Sequence, residues 1–243
     1  MKECTWFENW FDTTYYHLLY KHRDEFEAQK FISKLITYLN PKENSTALDL
    51  ACGRGRHSVF LSENKLNVTG IDLSENSIKF AKQFEKSNLE FLVQDMRTSF
   101  GENKFDLVFN LFTSFGYFEN NDDDIQVLKN IAQSLKQNGK LVLDYLNTTS
   151  IPSVVNHIES IEIDGIKFDT SKIVANGFIV KSIRVNDNTV ERIYTEKVKL
   201  IDKSTFEKYL ELTGFKILTC FGDYELNPFA PKSERLIIIA EKK

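Results

Sequence analysis

Thr46-Ala47-Leu48-Asp49-Leu50-Ala51-Cys52-Gly53-Arg54-Gly55-Arg56-His57-Ser58 is the stretch on which the reading of the whole chain turns. A short apolar run carrying a polar Asp49 breaks at Cys52-Gly53-Arg54-Gly55, and Arg56 to Glu63 then reads as a helix. Strand, glycine turn and helix start follow one another as in the first unit of an α/β sheet. In an open parallel sheet, ligands sit beyond the carboxyl ends of the strands, and glycine there lets backbone amides come close to them. The turn at Gly53 is therefore the expected binding site.

Two cofactor classes use such a turn. A dinucleotide fold wants G-x-G-x-x-G, the third glycine allowing close helix packing. Here Ser58 stands at that third position, which weakens a nicotinamide-dependent oxidoreductase reading. Asp49 to Gly55, D-x-A-C-G-x-G, instead resembles the first motif of class I S-adenosylmethionine-dependent methyltransferases. The resemblance implies that Asp49 braces the turn, that Ala51 and Gly53 lie at the methionine part of the cofactor, and that Gly55 belongs to the same loop.

Size and composition set bounds. The 243 residues suffice for one well-buried α/β domain with a small appendage. With 42% apolar and 27% charged residues the composition is that of a soluble globular protein. Its 20 phenylalanines point to an aromatic core or pocket, since no apolar run reaches the roughly 20 residues that span a membrane. No secretory signal is read ahead of the first helix. Cys4, Cys52 and Cys220 are odd in number, far apart and without metal-ligand spacing, so reduced thiols, a cytoplasmic location and no metal are expected. A net charge of −4 argues against a protein that grips phosphate backbones.

Trp6 to Leu39 reads as a helical, aromatic-rich N-terminal cap reaching to residue 45, stopped by Asn40-Pro41 and placed to close over the crevice and exclude water. Within it, Tyr16 to Ala28 resembles the Y-D-x-L-Y segment that opens amino-sugar N,N-dimethyltransferases and related small-molecule methyltransferases, with His17 in place of the aspartate. That resemblance makes Tyr16 a candidate for contact with cofactor or substrate amine, with Tyr20 behind it.

The second strand ends in Gly70-Ile71-Asp72-Leu73, and a carboxylate at that tip can accept from both ribose hydroxyls, Leu73 lying beside it. The third strand, Leu89 to Val93, leads to Asp95 and Met96, which by resemblance take the adenine site. The fourth, Phe105 to Leu111, carries Asn110 beneath the ligand and continues into TSFGYF. That run resembles the S-S-x-G-H/Y stretch of the amino-sugar enzymes and puts Tyr117 at the substrate. No N-P-P-Y or D-P-P-Y follows this strand, as base-directed amino methyltransferases require.

A helix to Lys136, stopped by Gly139, and a fifth strand, Lys140 to Leu146, complete the doubly wound pattern. Between 150 and 200 the periodicity becomes alternating, with turns at Asp164-Gly165 and Asn186-Asp187-Asn188, which reads as an antiparallel β lid from which His157 can reach the pocket. Residues 201–243 return to the core with a helix and strands six and seven, the last antiparallel.

The expectation is thus a Rossmann-like seven-stranded α/β fold with a SAM-binding core at 46–149. It would transfer the methyl of S-adenosyl-L-methionine to a small amine or hydroxyl compound by in-line displacement, leaving S-adenosyl-L-homocysteine. Such chemistry rests mostly on proximity and alignment. A SAM-binding sensor without turnover is the other class kept open, and a nucleic-acid or protein acceptor is a weaker variant. A monomer or homodimer, with no membrane partner, completes the reading.

Overall fold

The computed structural model describes residues 5–21, 25–151 and 157–243; Cys4 and the side chain of His157 lie outside the described part. In chain order the elements are α1 (Trp6–Phe11), α2 (Thr14–Leu19), α3 (Glu25–Leu39), β1 (Thr46–Leu50), α4 (Arg56–Glu63), β2 (Asn67–Asp72), α5 (Glu75–Ala81), β3 (Leu89–Val93) and β4 (Phe105–Asn110). Then come α6 (Asn121–Ser134), β5 (Leu135–Leu146), β6 (His157–Ile163), β7 (Ile166–Ala175), β8 (Phe178–Asp187), β9 (Val190–Lys199), α7 (Lys203–Leu212), β10 (Phe215–Phe221) and β11 (Arg235–Lys242).

These elements form two compact units, one of Asp24–Ser150 with Ile201–Lys243, the other of Met1–Arg23 with Ile151–Leu200. The segment read as one N-terminal cap is divided between them: α1 and α2 fall in the second unit and α3 in the first.

The first unit is built on a seven-stranded sheet in the order β10-β11-β5-β4-β1-β2-β3. Strands β1 to β5 pair in parallel, and β11 runs antiparallel to both β5 and β10. Strands β1, β4 and β11 and the second half of β5, Leu141 to Leu146, are predominantly apolar and buried because both faces are covered. The chain leaves β1 toward β2 and β3 and returns on the other side at β4, so the β1/β4 junction is the point where strand order reverses and a crevice opens.

Helix α6 ends earlier than its periodicity suggests. Leu135 is already extended, and the carbonyls of Gln133 and Ser134 accept from the amides of Asn103 and Lys104, so sheet pairing captures the last turn and β5 starts upstream of Gly139.

In the second unit, β6 to β9 make a four-stranded antiparallel meander. Two of its turns, Asp164-Gly165 and Asn176-Gly177, have positive φ at both residues, the type I′ geometry whose twist matches paired strands. Trp10 is fully buried in a cluster with Ile163, Phe168, Ile183 and Val185. The continuous helical pattern from Trp6 breaks because Thr13 is extended and its hydroxyl accepts from the Tyr16 amide, starting a new helix. Among the described residues no helix is long and apolar enough to cross a membrane.

Candidate active site at the strand tips

The turn after β1 is strained and tightly built. Ala51 is left-handed at φ 61°, followed by Gly53 at 56° and Gly55 at 82°. A non-glycine residue there costs on the order of 1–2 kcal/mol and needs its surroundings to hold it. The Cys52 amide donates to the Ile71 carbonyl at 2.9 Å and the Gly55 amide to the Cys52 carbonyl at 3.0 Å.

The two glycines serve different ends. A Cβ on Gly55 would sit 2.5 Å from the Phe91 ring, whereas a Cβ on Gly53 would meet nothing within 4 Å. Gly55 is thus required by packing, and Gly53 faces open space.

Asp49 is buried in β1 and accepts from the Ser58 hydroxyl at 2.6 Å, tying the strand to α4. Burial raises its pKa to about 6, against the opposing hydrogen bond from Ser58. Ser58 also explains how the helix packs closely without a third turn glycine: its Oγ lies 2.9 Å from where a Cβ of Gly70 would stand. Close approach is kept, but the glycine has moved onto β2.

At the tip of β2 the Asp72 carboxylate accepts from the Gly53 amide through Oδ2 and from the Ser74 amide through Oδ1, each at 2.8 Å. The amides fix its orientation beside the turn, and Leu73 follows it between β2 and α5. At the tip of β3, Arg97 grips Asp95: its amide donates to Oδ1 at 2.8 Å and its guanidinium to both oxygens, the Nη2 bond to Oδ2 being 2.5 Å. The Met96 carbonyl accepts from Asn130 of α6 at 3.2 Å.

Asn110 ends β4 fully buried. Its amide nitrogen donates to the Leu50 carbonyl at 3.1 Å and the Ser114 carbonyl at 3.2 Å, while its Oδ1 has no donor among the described residues. Two consecutive left-handed residues follow, Phe112 at φ 58° and Thr113 at 63°. The Tyr117 phenol donates to the Thr113 carbonyl at 2.6 Å. Gly116 is needed close by, since a Cβ there would meet the Tyr145 hydroxyl at 2.4 Å.

The first unit therefore carries Asp49, Ala51, Gly53, Gly55, Asp72, Leu73, Asp95, Met96 and Asn110 at or just beyond the carboxyl ends of β1 to β4, with Tyr117 on the segment that follows β4. Tyr16 and Tyr20 belong to the second unit. There Tyr16 packs edge-on against Trp10 and Tyr20, and the Tyr20 hydroxyl donates to Glu196 at 2.6 Å and accepts from Lys181 at 2.8 Å.

Three features escaped the sequence reading. Arg97 is the partner of Asp95, two residues away. The buried ion pair Arg235–Asp144 stands behind Phe112 and Thr113; an aspartate within LVLDYL and an arginine just before LIIIA were its only signals. His57 is the third. It is buried, stacks on Phe112 at 4.8 Å and 13°, has no partner for Nε2 among the described residues, and is driven by desolvation down to a pKa of about 3.

Residues 47–139 match the family described as Methyltransferase domain. Over 213 residues the chain is 31% identical to the "Putative methyltransferase YqeM" of Bacillus subtilis (strain 168), covering 82% of this chain and 85% of that protein. The chain belongs to the S-adenosylmethionine-dependent methyltransferases. Its fold is similar to that of a crystal structure of an S-adenosylmethionine-dependent methyltransferase from Clostridium acetobutylicum, with a TM-score of 0.80 and 21% identity over 96% of this chain and 98% of the other. It is also similar to SAM-bound CalS10, an amino pentose methyltransferase from Micromonospora echinaspora, with a TM-score of 0.74 and 16% identity over 95% and 98% of the two chains.

As a methyltransferase the enzyme uses S-adenosyl-L-methionine, and the strand tips fit that cofactor. Open space above Gly53 admits a ligand against the backbone, and the Asn110 Oδ1 that lacks a donor lies buried in the same tip region. Both are what a site shaped around a polar ligand leaves behind.

Proposed function

We propose that this methyltransferase acts on a small-molecule amine or hydroxyl acceptor, an amino sugar or a metabolite of similar size. The observation that supports this is the likeness to an amino pentose methyltransferase over 95% of this chain and 98% of that one, a span that includes the four-stranded sheet as well as the core. The acidic net charge of −4 argues in the same direction, away from a nucleic-acid acceptor.

On this reading Ala51, Gly53 and Gly55 take the methionine part of the cofactor, Asp72 with Leu73 the ribose, Asp95 and Met96 the adenine, and Asn110 lies beneath. Asp49 braces the loop from below. Bound S-adenosyl-L-methionine supplies an electrophilic methyl group that a neutral amine can take without a strong base. The chain's own work is then alignment and exclusion of water, which is where such an enzyme gains most of its rate. Tyr117, on the segment that follows β4, orients the acceptor. Contact of Tyr16 or Tyr20 with cofactor or acceptor, and a lid role for residues 150–200, rest on the resemblance to the amino-sugar enzymes.

The test is turnover. Purified protein is incubated with S-adenosyl-L-methionine and a panel of amino sugars, small amines, phenols, tRNA and a mixed peptide library, and S-adenosyl-L-homocysteine release is followed. Release that depends on an amine or hydroxyl compound of sugar size supports the reading. Release only with tRNA or peptide contradicts it, and tight binding with no release anywhere favours a sensor.

A further inference from the structure

A buried polar arrangement in the first unit stands behind the segment that follows β4. Asp144 of β5 is fully buried and its Oδ1 is 2.7 Å from the Arg235 guanidinium of β11, whose side chain is 18% exposed. Taking such a pair out of water costs several kcal/mol per ion, so its presence in a sheet that hydrophobic residues would fill calls for a purpose beyond stability.

What the pair touches suggests one. The Asp144 carboxylate accepts from the Phe112 amide at 2.8 Å, and its backbone carbonyl accepts from the Thr113 amide at 3.0 Å. Arg235 donates through Nε to Asp144 at 2.8 Å and through Nη2 to the Thr113 hydroxyl at 2.9 Å. Two residues on neighbouring strands thus hold, from three directions, the two residues whose φ angles are left-handed. A phenylalanine and a β-branched threonine each pay about 1–3 kcal/mol to stand there, and persist only where neighbours over-determine the backbone. The strain is put to use at the Thr113 carbonyl, which takes the Tyr117 phenol at 2.6 Å.

We propose that Arg235 and Asp144 are positioning residues for the acceptor side of the site, acting through the left-handed Phe112-Thr113 step to fix the orientation of Tyr117. This deepens the proposed function and rests on its placing of Tyr117 at the acceptor. Arg235 is suited to the task because its planar fork serves a carboxylate and a hydroxyl at once, which a lysine nitrogen on a flexible stem does not. The pair touches neither reacting atom; its effect is on where the phenol stands.

The experiment uses full-length protein labelled with 13C at the tyrosine ring, the Tyr117 signal being identified by its loss in Tyr117→Phe. Arg235→Lys and Thr113→Val each shift the Tyr117 signal, and Thr113→Ser, which keeps the hydroxyl, restores it. A Tyr117 signal unmoved in folded Arg235→Lys and Thr113→Val overturns the inference. Should Arg235→Lys fail to fold, Thr113→Val decides alone, because it leaves the ion pair in place.

With the acceptor that gives turnover, Arg235→Lys lowers kcat roughly tenfold while the Kd for S-adenosyl-L-methionine stays within about twofold, and in the Tyr117→Phe background it has less than about a twofold further effect. Independent, multiplying losses would mark Arg235 as structural only. If Tyr117→Phe alone leaves kcat unchanged, the acceptor-side placing of Tyr117 fails, and the proposal with it. If Tyr117→Phe lowers kcat but Arg235→Lys changes neither kcat nor signal, the inference fails and that placing stands.

Discussion

Replacing His57 by leucine separates a proton from its packing. His57 is the second residue of α4, buried against Phe112, with desolvation as the main cause and the Arg56 charge as a second in holding its pKa at about 3. In the unfolded chain a histidine titrates near 6.5. Below that pH the unfolded chain binds a proton that the folded chain does not, so the depressed folded pKa withdraws stability as pH falls. The slope approaches about 1.4 kcal/mol per pH unit well below 6.5, and the loss between pH 6.5 and 4.5 is roughly 2.3 kcal/mol.

His57→Leu removes that slope. A constant offset also appears, from losing the ring stack and from deleting a buried Nε2 without partner, the latter worth about 1–3 kcal/mol in favour of the variant. Only the slope identifies the proton. Urea unfolding of both proteins at pH 7.5, 6.5, 5.5 and 4.5 gives the difference in stability, in which all other titrating groups cancel to first order. It widens in favour of His57→Leu with each step below 6.5. A difference that stays flat from pH 7.5 to 4.5 refutes the claim that burial keeps His57 neutral.

Three further outcomes follow from the same geometry. Gly55→Ala drives a Cβ to 2.5 Å from the Phe91 ring and costs about 2–4 kcal/mol of folding stability, read as a lower urea midpoint. Gly53→Ala, whose Cβ meets nothing, costs only about 1–2 kcal/mol in stability; with the methionine part of the cofactor placed there as proposed, the methyl enters its space and weakens S-adenosyl-L-methionine binding roughly tenfold or more by calorimetry. Asp49 has the opposite sign to His57: its folded pKa of about 6 lies above the unfolded value, so stability is lost as pH rises from about 4 to 6, by roughly 3 kcal/mol in all. Asp49→Asn therefore gains on the wild type across that window, and thermal melts at pH 4 and pH 7 showing the same difference would count against it.

The sheet was legible because its signals are local. A strand, a glycine turn and a helix start at Thr46 to Ser58 need only sequence order to be read, and α4 occupies the residues that the pattern assigns, Arg56 to Glu63. The Asp164-Gly165 turn was legible for the same reason, since aspartate before glycine favours positive φ; of the turn expected at Asn186-Asp187-Asn188, Asn186 and Asp187 instead pair with β9 as the end of β8, and the Asn176-Gly177 turn was not read. What stayed hidden depends on partners far along the chain. Nothing near Phe112 announces that it and Thr113 are left-handed; the groups that hydrogen-bond to them there are Asp144 and Arg235, on β5 and β11. The loss of a third turn glycine at Ser58 was read as evidence about the ligand, and it is that, but its packing role is recovered by Gly70 on β2. The apparent continuity of the N-terminal helix was a limit of periodicity, which does not see a threonine hydroxyl capping a new start.

The central claim is that the tips of β1 and β2 bind S-adenosyl-L-methionine, with Asp72 at the ribose. Calorimetric titration of the wild type and of Asp72→Ala with S-adenosyl-L-methionine, beside an NAD control, tests it most directly. The account predicts micromolar binding to the wild type, none to NAD, and at least roughly a hundredfold weaker binding to the variant, since two charge-assisted hydrogen bonds are lost. Equal affinity of wild type and Asp72→Ala would contradict it.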